Sequence, residues 1–387
     1  MTAKERRERT ISIAVFVFTL IFSILYVVIG NKIATGGITE YLGEDIDVLQ
    51  GEIIQITDRT DAPNGENVGM KVEITRGERK GESVYAVLQI REYTLSNLNE
   101  ATVGDEVILY TNGDENVNAD WMVAGFERFT SIMWLGIIFT ALVLIFGQAK
   151  GIKTMVSLVF TCLAVFYVML PAIINGQNIY IWAIITCLFM IVMTMLFVNG
   201  ITKKSFVAGA GCTAGVIVSG IITLIMNNVM KMSGFTDSDS TLIYHLNEEP
   251  LDLTALIFAA IIIGAVGAIM DVAMDIASSL NELADTVPGI TAKKLIRSGF
   301  NIGRDIMGTM ANTLVLAYIG SSLSCVILLY AYSSSLLDLF NMEMIAMELL
   351  QALAGSIGML LSIPLTTFIS AYVYLDGAKK DANVIKE

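Results

Sequence analysis

The sequence predicts an α-helical polytopic membrane protein of about eight transmembrane helices, with one small extracytoplasmic β-barrel or sandwich domain of OB-like size. Three observations lead there. Of 387 residues, 55% are hydrophobic and only 16% charged, where a soluble domain carries about 25% charged residues. About eight apolar stretches reach the length of roughly 17–25 residues that crosses a bilayer as helix. Between the first two lies a segment of different composition, patterned as short strands.

The first element is a basic flank, Lys4-Glu5-Arg6-Arg7-Glu8-Arg9, followed by an apolar run over residues 11–30. That run exceeds the roughly 7–15 residues of a signal-peptide core, and no small-residue cleavage site closes it. It is read as a retained span, so residues 1–30 form a cytoplasmic tail and first transmembrane helix.

Residues 44–127 follow. Gly51-Glu52-Ile53-Ile54-Gln55-Ile56, Lys71-Val72-Glu73-Ile74, Tyr85-Ala86-Val87-Leu88-Gln89-Ile90 and Glu106-Val107-Ile108-Leu109-Tyr110 are β-branched, partly alternating runs. Turn clusters such as Asp61-Ala62-Pro63-Asn64-Gly65 and Thr111-Asn112-Gly113-Asp114 separate them. Such a pattern predicts a small barrel or sandwich. The segment has no histidine or cysteine, and its carboxylates read as solvated turn residues. A spacer, assembly or partner-binding role fits it better than catalysis.

Residues 129–375 are read as seven further spans, near 129–147, 155–174, 179–199, 206–227, 254–277, 307–330 and 348–375, with a tail over 376–387. In the fifth, Gly211 and Gly215 have the small-xxx-small spacing that lets helices approach closely. Asn199 is expected to end the fourth span, Asn227 and Asn228 the fifth, and Glu348 to mark the outer end of the last. Pro171 and Pro364 are expected to kink helices. Lys150, Lys153, Lys203, Lys204, Lys293, Lys294, Arg297, Arg304, Lys379 and Lys380 all fall on one side of this arrangement. The basic side faces the cytoplasm, which puts both termini inside and the β domain outside.

The most unusual residues are in the sixth span. Asp271 and Asp275 are four apart and share a helix face, continued by Ser278, Ser279 and Glu282. An acid at the centre of a membrane helix costs roughly 2.5–3.5 kcal/mol on insertion scales. Two like charges one helical step apart add repulsion, relieved when one keeps its proton or a cation binds. The seventh span carries Arg304, Asp305, Gly308, Thr309 and Asn312. With membrane edges near Ser278 and Ile306, Asp271 and Asn312 both lie roughly 10 Å deep at 1.5 Å per residue. They are expected to face each other across two antiparallel helices, with Arg304 and Asp305 at the cytoplasmic mouth. Gly264, Gly267 and Gly308 are expected to bring these helices close. Residues 290–300 are expected to form a short amphipathic surface helix between them.

Other chemistry is disfavoured. A net charge of −13 argues against nucleic-acid binding. The four cysteines, Cys162, Cys187, Cys212 and Cys325, lie in apolar stretches, which argues against disulfides and zinc. The lone His245 lies in an acidic loop and reads as solvated. No cofactor or resident metal is expected. Two acids on one helix face do not form an aspartyl dyad, and no HExxH motif is present, so an enzyme is not expected.

Several motifs resemble the YibE/F family of bacterial membrane proteins. They are Leu170-Pro171 with Asn175-Gly176, the segment from Gly264 to Leu283 with its DVAMDIASSLNEL core, and GRDIMGTMANTLVLAYIGSSL from Gly303 to Leu323. The resemblance runs from the β domain to the last span and implies a bacterial cell-membrane location; it carries no biochemical activity. A remoter resemblance is to SecD/SecF and other RND-type permeases. There a Gly-xxx-Asp span, matched by Gly267 and Asp271, leads into a basic connection and further helices. The order departs here, because the acidic span is sixth rather than fourth and no Arg follows the aspartate closely.

These readings lead to a transporter or permease coupled to protons or cations through Asp271 and Asp275. The alternative is a non-transporting scaffold whose β domain binds an envelope partner. The expected surroundings are the lipid bilayer, protons or cations, an unidentified substrate, and a second copy or a paired membrane protein.

Overall fold

A computed structural model describes residues 3–35, 48–62, 65–91, 101–111, 121–236, 238–246, 250–332 and 335–384. The chain divides into two compact units, Ile38–Phe146 on one hand and Met1–Gly37 with Gly147–Glu387 on the other.

In the first unit, five strands among the described residues close into a barrel: β1 (Val48–Ala62), β2 (Gly65–Ile74), β3 (Ser83–Arg91), β4 (Glu106–Thr111) and β5 (Trp121–Phe126). The order is β1-β2-β3-β5-β4. All pairs are antiparallel except β3 with β5. Side chains alternate across a strand, so Met70, Val72 and Ile74, then Ala86, Leu88 and Ile90, then Val107 and Leu109 turn inward to one core. Four strands contain the runs read from sequence. The fifth was not anticipated, because Trp121–Phe126 is short and runs almost directly into helix. Residues 63–64 and 112–114 of the expected turns lie outside the described residues.

The helices are α1 (Ala3–Thr35), α2 (Phe129–Leu163), a π-helical turn (Ala164–Met169), α3 (Leu170–Ile174), α4 (Ile179–Asn199), α5 (Lys203–Met230), α6 (Ser238–Tyr244), α7 (Leu253–Thr286), α8 (Ala292–Ser321), α9 (Leu323–Tyr332), α10 (Leu336–Asn341) and α11 (Glu343–Val384). Their starts follow local rules for satisfying the free N–H groups of a first turn. Asn178, Thr202, Asp252 and Thr291 each accept a backbone N–H at the head of α4, α5, α7 and α8.

Among the described residues, six segments are long and apolar enough to cross a membrane: Thr10–Thr35, Phe129–Ile174, Ile179–Asn199, Lys203–Met230, Leu253–Thr286 and Glu343–Leu375. Two expected spans share Phe129–Ile174, interrupted at Gln148, whose backbone is non-helical (φ 48°, ψ −129°). The expected seventh span, 307–330, is not one helix. It is divided between α8 and α9 at Ser322, where φ −102° and ψ 11° leave helical geometry. The expected surface helix over 290–300 is likewise not separate. After the Thr291 cap nothing interrupts it, and it continues as the first turns of α8.

Helices α5, α7 and α11 form the packed centre of the second unit. A Cβ on Gly215 would meet Ile269, Ser362 and the Gly358 carbonyl, and one on Gly358 would meet Ser219. Close backbone approach at small residues substitutes here for the hydrophobic drive that membrane helices lack between themselves. Helix α1 is held at its end by side chains from the turn after α3. Gln177 Nε2 donates to the carbonyls of Ile33 and Ala34 at 2.9 and 3.0 Å, while its Oε1 accepts from Trp182 Nε1 at 2.7 Å.

Candidate functional site

Helix α7 buries Ile269, Val272, Ala273 and Ile276 in the packed centre. The 100° step between residues turns the opposite stripe outward. Asp271 and Asp275 are both exposed on that stripe. Ser278 is half-buried and accepts from Lys204 Nζ at 3.1 Å. Ser279 is half-buried beside it. Lys204 had signalled only orientation in the sequence; its reach to α7 comes from the crossing of α5.

Helix α8 runs antiparallel to α7, and two contacts fix the register. A Cβ on Gly299 would meet Leu280, and one on Gly264 would meet the Tyr318 hydroxyl. Counting residues between these contacts puts Asp271 level with Thr309, with Asn312 within one turn, and Asp275 level with Arg304 and Asp305. By this count the site residues fall in two layers, with Thr309 rather than the expected Asn312 directly level with Asp271. Arg304, Asp305, Thr309 and Asn312 are all exposed. Thr309 Oγ1 donates to the Ile306 carbonyl at 3.0 Å. The ion pairs described, Arg59–Glu66 and Arg79–Glu82, both belong to the barrel.

The glycines divide. Gly211 and Gly215 lie in the packed centre, and Gly264 lies against Tyr318 and Gln351. Gly267 and Gly308 correct the expectation of close packing: a Cβ at either would meet nothing within 4 Å. Both are exposed, and among the described residues nothing beyond the local helix lies within 4 Å of either Cβ position.

Sequence reasoning also passed over a row of hydroxyls on α11. Ser362, Thr366, Thr367 and Ser370 are fully buried. Thr366, Thr367 and Ser370 have no hydrogen-bond partner among the described residues. The i, i+4 spacing of Ser362, Thr366 and Ser370 around Pro364 was the available signal. Among the described residues, no group of three His, Cys, Asp or Glu side chains could hold a metal ion.

What this arrangement can do chemically is limited and specific. Two carboxylates on one face of an apolar helix can take up and release a proton or cation. Amide and hydroxyl groups at the same depth can donate to an ionised carboxylate or accept from a protonated one. A family model described as YibE/F-like protein matches residues 135–376. No curated protein and no solved structure matches the chain, so the likeness to SecD/SecF rests on motif order alone.

Proposed function

We propose that this chain, which belongs to the YibE/F-like family, is a transporter or permease of the bacterial cell membrane, driven by a proton or cation that binds at Asp271 and Asp275. One observation carries the reading: both acids lie exposed on a single face of an apolar helix, level with Thr309, Asn312 and Arg304 of its antiparallel neighbour. Ionisable groups in membrane helices are costly and are kept where a path or a coupling step needs them. In this reading Phe129–Ile174 crosses twice and α8 with α9 once, which gives eight crossings and cytoplasmic termini.

The test is proton or cation flux in proteoliposomes of the full chain. Asp271→Asn retains shape and removes a charge, so folding and insertion should persist while driven flux falls at least about tenfold, a barrier change of about 1.4 kcal/mol. If Asp271→Asn and Asp275→Asn both retain full flux and complement a deletion strain, the acids are structural. The scaffold reading then takes over. It is supported by the closed barrel, whose strand order suits an OB-like binding module.

A further inference from the structure

The outward face of α7 is built to be covered. Ala260, Gly267, Asp271 and Asp275 recur at helical spacing and are all exposed, whereas Gly264 among them lies against Tyr318 of the same chain. At Gly267 the space beyond the backbone is open. Small residues are enriched where membrane helices approach one another, and carboxylates facing lipid are unfavourable.

The neighbouring helix carries the matching surface. Arg304, Gly308 and Asn312 are exposed at successive steps of four along α8, and Gly308 also faces open space. Arg304 is level with Asp275, yet the ion pairs described in this chain are confined to the barrel. A two-fold axis is the commonest closed symmetry of soluble homo-oligomers. An axis along the membrane normal leaves every residue at its own depth. It therefore brings α8 of a second copy against α7 with Arg304 at the depth of Asp275, and repeats the contact in reverse.

We propose that a second copy of this chain covers the face, with α7 of one protomer against α8 of its partner and Arg304 of the partner subunit beside Asp275. The charge complementarity is between two helices of the same sequence at one depth, which favours a second copy over an unrelated protein. The partner's Arg304 neutralises one carboxylate of each pair and leaves Asp271 to exchange its proton or cation. The inference concerns the same acids as the transport reading but does not require transport, and its test measures association rather than flux.

The experiment uses the full chain in mild detergent and in lipid nanodiscs. Light scattering should give twice the chain mass of 42.0 kDa. Two differently tagged, cysteine-replaced copies carrying Gly267→Cys and Thr313→Cys should join by oxidation at least about tenfold more than a control pair using Ile217→Cys, an exposed position of α5. Asp275→Arg alone and Arg304→Asp alone should each weaken self-association about tenfold or more. Co-expressing the two single variants should restore a mixed pair, because each interface then regains opposite charges. Monomer mass with no crosslink above control overturns the proposal. So does a crosslink only to a different protein, or failure of the mixed pair to form from monodisperse single variants.

Discussion

Thr366 of α11 points its hydroxyl into the notch left by Gly211 of α5, in the space that a Cβ on that glycine would fill. The fit is backbone against side chain in a fully buried position, so it has little room to relax. Gly211→Val is expected to lower the thermal midpoint of the detergent-solubilised chain by an amount equivalent to about 1–3 kcal/mol. Gly209→Ala, on the same helix, meets only ordinary contacts at 3.7 Å or more. It should leave the midpoint unchanged or raise it slightly, by up to about 1 kcal/mol. Equal losses from the two substitutions would show that the notch has no special role.

Glu343, at the start of α11, holds the loop after α5. Its carboxylate accepts from Ser233 N at 2.6 Å, Ser233 Oγ at 2.8 Å and Gly234 N at 2.5 Å. Hydrogen bonds to a charged group contribute about 1.5–3 kcal/mol each before exposure is discounted. Glu343→Ala should therefore increase proteolytic cutting near Ser233 and amide exchange at Gly234. Glu343→Gln, which keeps one acceptor oxygen, should fall between that variant and the parent. Unchanged exchange in Glu343→Ala would mean that the clamp does not order the loop.

The barrel gathers its core from its own strands, and residues 44–127 expressed alone should give a β-type circular dichroism spectrum. A helical or random spectrum would show that it needs the rest of the chain. Within it, Arg79 donates to both carboxylate oxygens of Glu82 at 2.7 and 2.8 Å. Those bonds hold the Glu82 carboxyl below the usual glutamate range. A depressed carboxyl stabilises the fold above its unfolded pKa, and that contribution disappears as pH falls through the depressed value. Carboxyl NMR of the isolated barrel should show Glu82 titrating below the ordinary glutamate range. Arg79→Met should return it to the ordinary value of about 4.3.

Orientation is testable by chemical labelling. The Lys and Arg distribution predicts that cysteines introduced in residues 44–127 react with an impermeant reagent from outside intact cells. A cysteine replacing Lys379 should react only after the membrane is opened. Opposite accessibility at the two positions would invert the arrangement.

Much of this protein was legible in its sequence. Length and hydropathy are local properties, so the apolar helices and the strand runs could be read directly from composition and period. From sequence, spacing along two antiparallel helices gives Asp271 and Asn312 a similar depth; the contacts of Gly264 and Gly299 put Thr309 level with Asp271 and Arg304 level with Asp275. Other features were decided only by tertiary structure. Gly211 and Gly267 have the same side chain, yet one is packed against Thr366 and the other faces open space. Which face of a helix is covered depends on the neighbours that arrive there, and spacing within one helix does not contain that information. The end of α8 at Ser322, the reach of Lys204 to Ser278 and the buried hydroxyls of α11 were hidden for the same reason. Sequence determined which residues share a depth and a face, because both follow from the geometry of one helix; packing decided which of those faces the chain fills and which it leaves open.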